Sequence, residues 1–247
     1  RPLVDRAVRG QYPPGSTLKL FTAAAALQER TITPEATYHC AGAIQVPFAW
    51  DQSKGNIHPC WIYRYGGHED LNVFQALAQS CDVFFYNVGA PHQPIDEAES
   101  DFLHYRDLDI SGNLSQEKIY FEGLGIDRMK KHFTEHFCFG QRTGIELPAE
   151  AEGVAPDNEW RQQNFQTGWS VGDTINASIG QGFFEATPLQ LAVNTATLAN
   201  RGTVYQPTLI RKISAPDEGA TPVAEPGATA TATSKLGPSQ RGKVIRE

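Results

Sequence analysis

The stretch Tyr12-Pro13-Pro14-Gly15-Ser16-Thr17-Leu18-Lys19 gives the chain its first fixed point. Two prolines and a glycine cannot continue a helix backwards, so a helix is expected to begin at about Ser16. From Ser16 to Glu29, Leu18, Phe21, Ala25 and Leu27 supply apolar positions through Thr22-Ala23-Ala24-Ala25-Ala26, which makes that helix mostly buried. Ser16 and Lys19 then stand at i and i+3 on one face, close enough for the amine to take the hydroxyl proton where its surroundings favour the neutral form. Free N–H groups at a helix start favour negative charge on a reacting oxygen. Taken alone, Ser-x-x-Lys is common and reads better as a helix cap followed by a surface lysine.

The chain around it has 247 residues, 40% hydrophobic and 20% charged, with Lys+Arg 21 against Asp+Glu 28 and a net charge of -7. Such a chain can bury a real core as one large or two small soluble domains, and with 10% aromatics it is not disordered throughout. No nucleic-acid partner is expected, because phosphate binding leaves a basic excess and the balance here is acidic. No run approaches the roughly 20 apolar residues needed to cross a bilayer. Arg1-Pro2-Leu3 does not open a signal peptide, and the chain reads as a piece of a longer protein with any anchor elsewhere. Cysteines at 40, 60, 81 and 138 are too few for a disulfide scaffold.

Thr31 to Asp70 shows no clean period and reads as a long loop in need of a function or a staple. Leu71 to Ala78 reads as a short helix ending at Ser80-Cys81-Asp82, followed by a helix over Val83 to Val88 capped by Asp82. Residues 92 to 117 are polar and acidic, an expected surface insertion. Helices are expected over Glu117 to Gly123 and Ile126 to Phe137, and a turn into a short strand at Gln141 to Pro148. Ala177-Ser178-Ile179-Gly180-Gln181-Gly182 allows close backbone approach. Thr187-Pro188 opens a helix that Asn200-Arg201-Gly202 closes. Val204-Tyr205 and Thr208 to Ile213 are candidate strands, and 214 to 247 reads as a flexible low-complexity tail or linker.

Several of these pieces occur together in one known family. Tyr12 to Lys19, Ser80-Cys81-Asp82, the run Gly172 to Gly182 and Thr187-Pro188-Leu189-Gln190-Leu191-Ala192 together resemble the transpeptidase domain of class B penicillin-binding proteins, in the cell-elongation (penicillin-binding protein 2) branch. The resemblance covers most of residues 1 to 213, with 92 to 117 as an insertion. It implies an α+β fold, the penicillin-binding protein and serine β-lactamase-like transpeptidase fold, here mostly its helical subdomain with an incomplete antiparallel sheet. It implies Ser16 as the acylated nucleophile, Lys19 as its general base, Ser80 as a proton relay, and Asp82 at a position where Asn is commoner. The family's third motif, Lys-Thr-Gly or Lys-Ser-Gly, is not found, and Arg142-Thr143-Gly144 precedes the Gly180-Gln181-Gly182 stretch and resembles a structural segment instead. The chain is therefore expected to lack a complete active site. The implied activity is a D,D-transpeptidase acting on peptidoglycan stem peptides and acylated by β-lactams, on the periplasmic side of the inner membrane, with a membrane glycan polymerase as partner and no organic cofactor. A serine β-lactamase and a non-catalytic penicillin-sensing or scaffold domain are the alternatives.

Cys40, His58, Cys60, His68 and Cys81 fall in the loop-rich stretch between the two catalytic motifs. Thiolate and imidazole suit tetrahedral zinc, and a long irregular loop gains folding free energy from such a clip. The preferred ligand set for a structural zinc is Cys40, Cys60, His68 and Cys81, with His58 as the alternative fourth ligand; a disulfide and buried free thiols are the competing readings. Some elongation-type relatives resemble this in placing one ligand inside the second motif. His132 and His136 at i and i+4 have helical ligand spacing without a fourth partner and read as a solvated helix face. The aromatics at Trp50, Trp61, Tyr63, Tyr65 and Phe84-Phe85-Tyr86 read as groove lining or core.

Overall fold

In the computed structural model, which describes residues 4–48, 51–90, 106–108, 111, 121–209 and 244–246, the double proline does stop the helix, but three residues further on than expected. After α1 (Arg6–Arg9), Gly15–Leu18 form a 3-10 turn and the α-helix proper, α2, is Lys19–Gln28. Gly15 lies at φ +57, and its N–H donates to Gly180 O at 2.8 Å. That left-handed turn, suited to glycine, tightens the entry and leaves Ser16 on the 3-10 turn while Lys19 heads the buried helix.

The expected loop from Thr31 to Asp70 is largely β-structure. β1 (Thr37–Cys40) pairs antiparallel with β4 (Glu69–Asn72), setting Tyr38 opposite Leu71, and β2 (Ala43–Phe48) pairs with β3 (Asp51–Pro59). These strands escape a periodicity reading because β1 alternates over four residues only and β3 is polar along most of its length. Asn72 and Gln75 form a capping box that starts α3 (Val73–Ala78) directly from β4. α4 (Asp82–Gly89) begins one turn later, with Cys81, not Asp82, as its cap: Phe84 N–H donates to Cys81 Sγ. β5 (Arg106–Leu108) joins β2 from the other side.

The helical part follows: α5 (Gly125–Glu135), α6 (Asn158–Phe165), α7 (Val171–Ser178) and α8 (Pro188–Ala199). Thr187 and Gln190 make the capping box that opens α8, and Asn200-Arg201-Gly202 closes it, as the sequence predicts. β6 (Val204–Tyr205) pairs with β7 (Val244–Arg246). Phe121, Glu122 and Gly123 are not helical, and Gln141 to Pro148 form turns instead of a strand. The rest of the 92–117 insertion apart from β5 and residue 111, and residues 117–120, 210–243 and 247, lie outside the described residues. The architecture is thus α+β, with helices and small antiparallel sheets of two, three and two strands among the described residues.

The core places α2 at the centre. Phe21 meets Phe137 and Phe139 edge to face at 5.0 and 5.1 Å, and Phe139 and Phe133 extend the cluster to Phe184. Every residue of α4 from Val83 to Gly89 is buried. α7 crosses so closely that a Cβ on Gly89 would stand 2.3 Å from Ser178 Cβ. Two buried helices, α2 and α4, therefore present their N-terminal ends to one place.

Candidate active site

That place holds all four sequence-predicted catalytic side chains. Lys19 is 1% exposed. Its ammonium donates to Ser80 O at 2.9 Å, Ser80 Oγ at 3.1 Å and Asp82 Oδ1 at 2.6 Å, so all three of its N–H groups are committed. Ser80 Oγ in turn donates to Ser16 Oγ at 2.9 Å. Ser16, Ser80, Lys19 and Asp82 form one hydrogen-bonded chain, and Lys19 reaches Ser16 through Ser80. The i, i+3 adjacency read from the sequence does not become a direct hydrogen bond, since Ser16 sits on the 3-10 turn and Lys19 bonds Ser80 and Asp82 instead.

Ser80 adopts a left-handed backbone, φ +52, rare for a residue with a Cβ. Lys19 holds it there by bonding both its carbonyl and its hydroxyl. Asp82 is likewise fixed on two sides: Oδ1 takes Lys19, and Oδ2 accepts from Trp61 N–H at 3.3 Å. Burial pushes the Asp82 carboxyl upward, against the pull of the Lys19 ammonium. Trp61 is the residue the sequence reading passed over as groove lining. Besides its backbone bond, its indole N–H donates to Gln79 O at 3.0 Å and its ring meets His68 edge-on at 5.3 Å. Its position immediately after Cys60 was the available signal.

The Gly180 approach anticipated from sequence is also present: a Cβ there would stand 2.3 Å from Gly15 O. Arg142-Thr143-Gly144, by contrast, is a structural clasp. Thr143 N–H and Oγ1 and Gly144 N–H all donate to the buried Glu150 carboxylate, which leaves them nothing to offer a substrate.

Beside the catalytic chain, one ligand atom each of Cys40, Cys60, His68 and Cys81 lie within 4.8 Å of one another. His68 Nδ1 stands 3.6 Å from both Cys40 Sγ and Cys60 Sγ. His58 is outside this group; it packs against Tyr86 at 6.0 Å, and burial lowers its pKa. Cys40, Cys60 and Cys81 are buried and form no disulfide. The Cys40 thiol, bonded to Cys60, is pushed up to about 11, Cys81 is pushed up by Cys40 and Cys60, and Cys60 is pulled down by the thiols that donate to it. Thiols this close resist ionising together, and a divalent cation would offset that repulsion. Asp82 N–H donates to Cys60 Sγ at 3.3 Å, so the cluster touches the second motif directly.

His132 corrects the expectation of a solvated face. It is buried, its Nε2 is 2.7 Å from Glu29 Oε1, and its ring stacks on His136 at 4.7 Å. It lines a cavity of about 460 Å³ at the far end of α2 and belongs to no ligand group among the described residues.

A family model described as the penicillin binding protein transpeptidase domain matches residues 1–240. The chain is 34% identical over 211 residues to the peptidoglycan D,D-transpeptidase MrdA of Acinetobacter baumannii, covering 85% of this chain and 25% of that protein. It is 34% identical over 209 residues to MrdA of Escherichia coli K12, covering 85% and 27%. Among solved structures, Pseudomonas aeruginosa PBP2 in complex with WCK 5153 superposes with a TM-score of 0.64 at 29% identity, covering 88% of this chain and 41% of that one. PBP2 of Helicobacter pylori in complex with MreC gives 0.63 at 29% identity, covering 84% and 31%. The chain spans about a quarter of the length of the curated relatives it matches.

Proposed function

The chain belongs to the penicillin-binding protein transpeptidase family, and from that premise we propose that it carries the serine centre of a peptidoglycan D,D-transpeptidase of cell elongation. The observation that carries this reading is the hydrogen-bonded chain Ser16–Ser80–Lys19–Asp82. With Lys19 as the neutral amine, Ser16 Oγ attacks the penultimate D-Ala carbonyl of a stem peptide, giving its proton to Ser80 as Ser80 passes its own to Lys19. The C–N bond breaks, the proton returns through Ser80 to the leaving D-Ala amine, and an ester joins the peptide to Ser16. An amine of a second stem then attacks that ester, releases Ser16 and completes the cross-link. A β-lactam acylates the same oxygen. The Ser16 N–H, at the head of the 3-10 turn, is one donor for the developing oxyanion. A Lys-Thr-Gly or Lys-Ser-Gly segment, which the family uses to anchor the substrate carboxylate and complete the oxyanion hole, does not occur in these 247 residues.

In the same reading Cys40, Cys60, Cys81 and His68 hold a structural zinc. When bound, it neutralises the three thiolates and fixes the loop between the catalytic motifs. Cys81, which caps α4, and Cys60, which accepts from Asp82 N–H, tie that loop to Ser80 and Asp82.

The place of action is the periplasmic face of the inner membrane. No helix among the described residues is long and apolar enough to cross a membrane. Likeness to a PBP2 solved with MreC, and to a peptidoglycan synthase complex of polymerization and crosslinking at 28% identity, supports a glycan polymerase of the elongation machinery as partner.

The test is covalent labelling of the full-length protein by a fluorescent penicillin. Wild type is expected to label stoichiometrically and Ser16→Ala not at all; labelling that persists at another residue would overturn the assignment.

A further inference from the structure

Arg161 has no counter-ion among the described residues. The rings of Trp160, Phe165 and Phe183 pack together at centroid distances of 4.9 to 5.7 Å on the open face of α6, which buries none of its residues. The Arg161 guanidinium lies over two of them, 4.8 Å from the Phe165 centroid and 4.4 Å from that of Phe183. Its Nε is buried without an acceptor among the described residues, and its side chain makes no ion pair there. The nearby acids are already engaged: Asp157 takes Trp160 N–H at 2.7 Å and Lys130 at 3.1 Å, and Glu159 takes Gln163 at 2.9 Å. In a chain with 28 acidic and 21 basic residues, a stacked arginine left unpaired is a site awaiting an anion.

Its place in the fold says which anion. Phe183 follows Gly180-Gln181-Gly182, and Gly180 O accepts from Gly15 N–H next to Ser16. Three residues of chain span at most about 11 Å, so Phe183 lies within that reach of the turn that braces Ser16. The aromatic rings hold the guanidinium in place, and its fork matches a carboxylate at two points.

We propose that Arg161, stacked on Phe165 and Phe183, is a binding subsite for a side-chain carboxylate of the peptide strand delivered to Ser16. The inference rests on the transpeptidase reading and deepens it to a feature of the substrate, since a stem peptide carries carboxylates besides its C-terminal one.

The test uses the full-length enzyme with two pentapeptide stems, one with free carboxylates and one with all but the C-terminal carboxylate amidated. Arg161→Gln is expected to raise KM for the free-carboxylate stem about tenfold with kcat within about twofold, to leave KM for the amidated stem unmoved, and Arg161→Lys to fall between. Amidation alone raises the wild-type KM by the same factor. An unmoved KM for the free stem, with wild type still labelled by penicillin, overturns the subsite and leaves the functional reading standing. Equal losses on both stems, with a lowered thermal midpoint in both variants, make Arg161 a structural residue and also overturn it. Wild type that fails to label with penicillin removes the functional reading, and this inference with it.

Discussion

Lys19 Nζ and Asp82 Oδ1 are 2.6 Å apart at the junction of α2 and α4, with the lysine side chain 2% exposed and the aspartate 17%. Two buried helices end on this one pair. Removing one partner leaves an uncompensated charge, which typically destabilises by about 3–5 kcal/mol at buried sites. Asp82→Ala is expected to cost about 3 kcal/mol in a denaturant titration and to slow penicillin acylation by on the order of a hundredfold, because Lys19, which orients Ser80, loses the carboxylate that holds it in place. Asp82→Asn keeps the shape and an acceptor for Trp61 N–H but strips the same charge, and should therefore lose most of that stability as well. Asp82→Asn as stable as wild type would show that charge is not what Asp82 contributes.

Gly180 makes a sharper steric prediction. A Cβ there would lie 2.3 Å from Gly15 O and 2.8 Å from Gly15 N, and its φ of +74 is unfavourable for alanine. The neighbour is backbone, so nothing flexible can give way. Gly180→Ala is expected to destabilise by more than about 2 kcal/mol and to displace the turn that carries Ser16, with penicillin acylation falling further than the unfolded fraction accounts for. Gly172 is the matched control. It lies in the first turn of α7, its nearest contact would be Ser170 Oγ at 3.7 Å, and Gly172→Ala should be neutral or stabilising by up to about 1 kcal/mol.

Why the site could be read from the sequence while much of the fold around it could not follows from the range of the forces involved. Ser16, Lys19, Ser80 and Asp82 sit at chain reversals written in local chemistry: Pro13-Pro14-Gly15 on one side, the short Ser80-Cys81-Asp82 turn on the other. The Cys40, Cys60, His68 and Cys81 group is legible for the same reason, since ligand chemistry is carried by residue type. β1 to β4 are not local. Tyr38 is buried because Leu71, 33 positions later, lies opposite it, and no window around Tyr38 contains that fact. Capping failed in a different way: Asp82 has the right side chain for the first turn of α4, but a buried ammonium outbids the backbone N–H groups for it, and the cap falls to a sulfur. His132 escapes a local reading because the acid it pairs with, Glu29, caps the end of α2 and does not come from its own helix.

Asp157 gives a pH-dependent prediction. It caps α6 through Trp160 N–H and pairs with Lys130. Burial raises its carboxyl, but these bonds outweigh burial and leave it below the usual aspartate value of 3.8. A depressed folded value means the stabilisation is fully present above that usual value and is lost as pH falls through the folded one. Asp157→Ala should therefore cost about 1 kcal/mol at pH 7, and the gap between variant and wild type should close as pH drops below about 3.8. Thermal midpoints measured across that range check the sign; a gap that widens on acidification would contradict it.

The Cys40, Cys60, His68 and Cys81 cluster allows the two histidines to be told apart. His68 faces two sulfurs at 3.6 Å, whereas His58 packs on Tyr86. Zinc analysis of the purified protein is expected to give about one ion per chain, unchanged in His58→Ala and lost in His68→Ala and Cys60→Ser. Because Cys81 caps α4 and Cys60 accepts from Asp82 N–H, stripping the metal should act on the active site as well as on stability. A strong chelator should lower the thermal midpoint and slow penicillin acylation together, and Cys60→Ser should show both effects without chelator. Wild-type zinc below about 0.2 per chain after expression with zinc would count against the site. Retention of the ion by His68→Ala with loss in His58→Ala would reverse the ligand assignment, and with it the link from the cluster through Trp61 to Asp82.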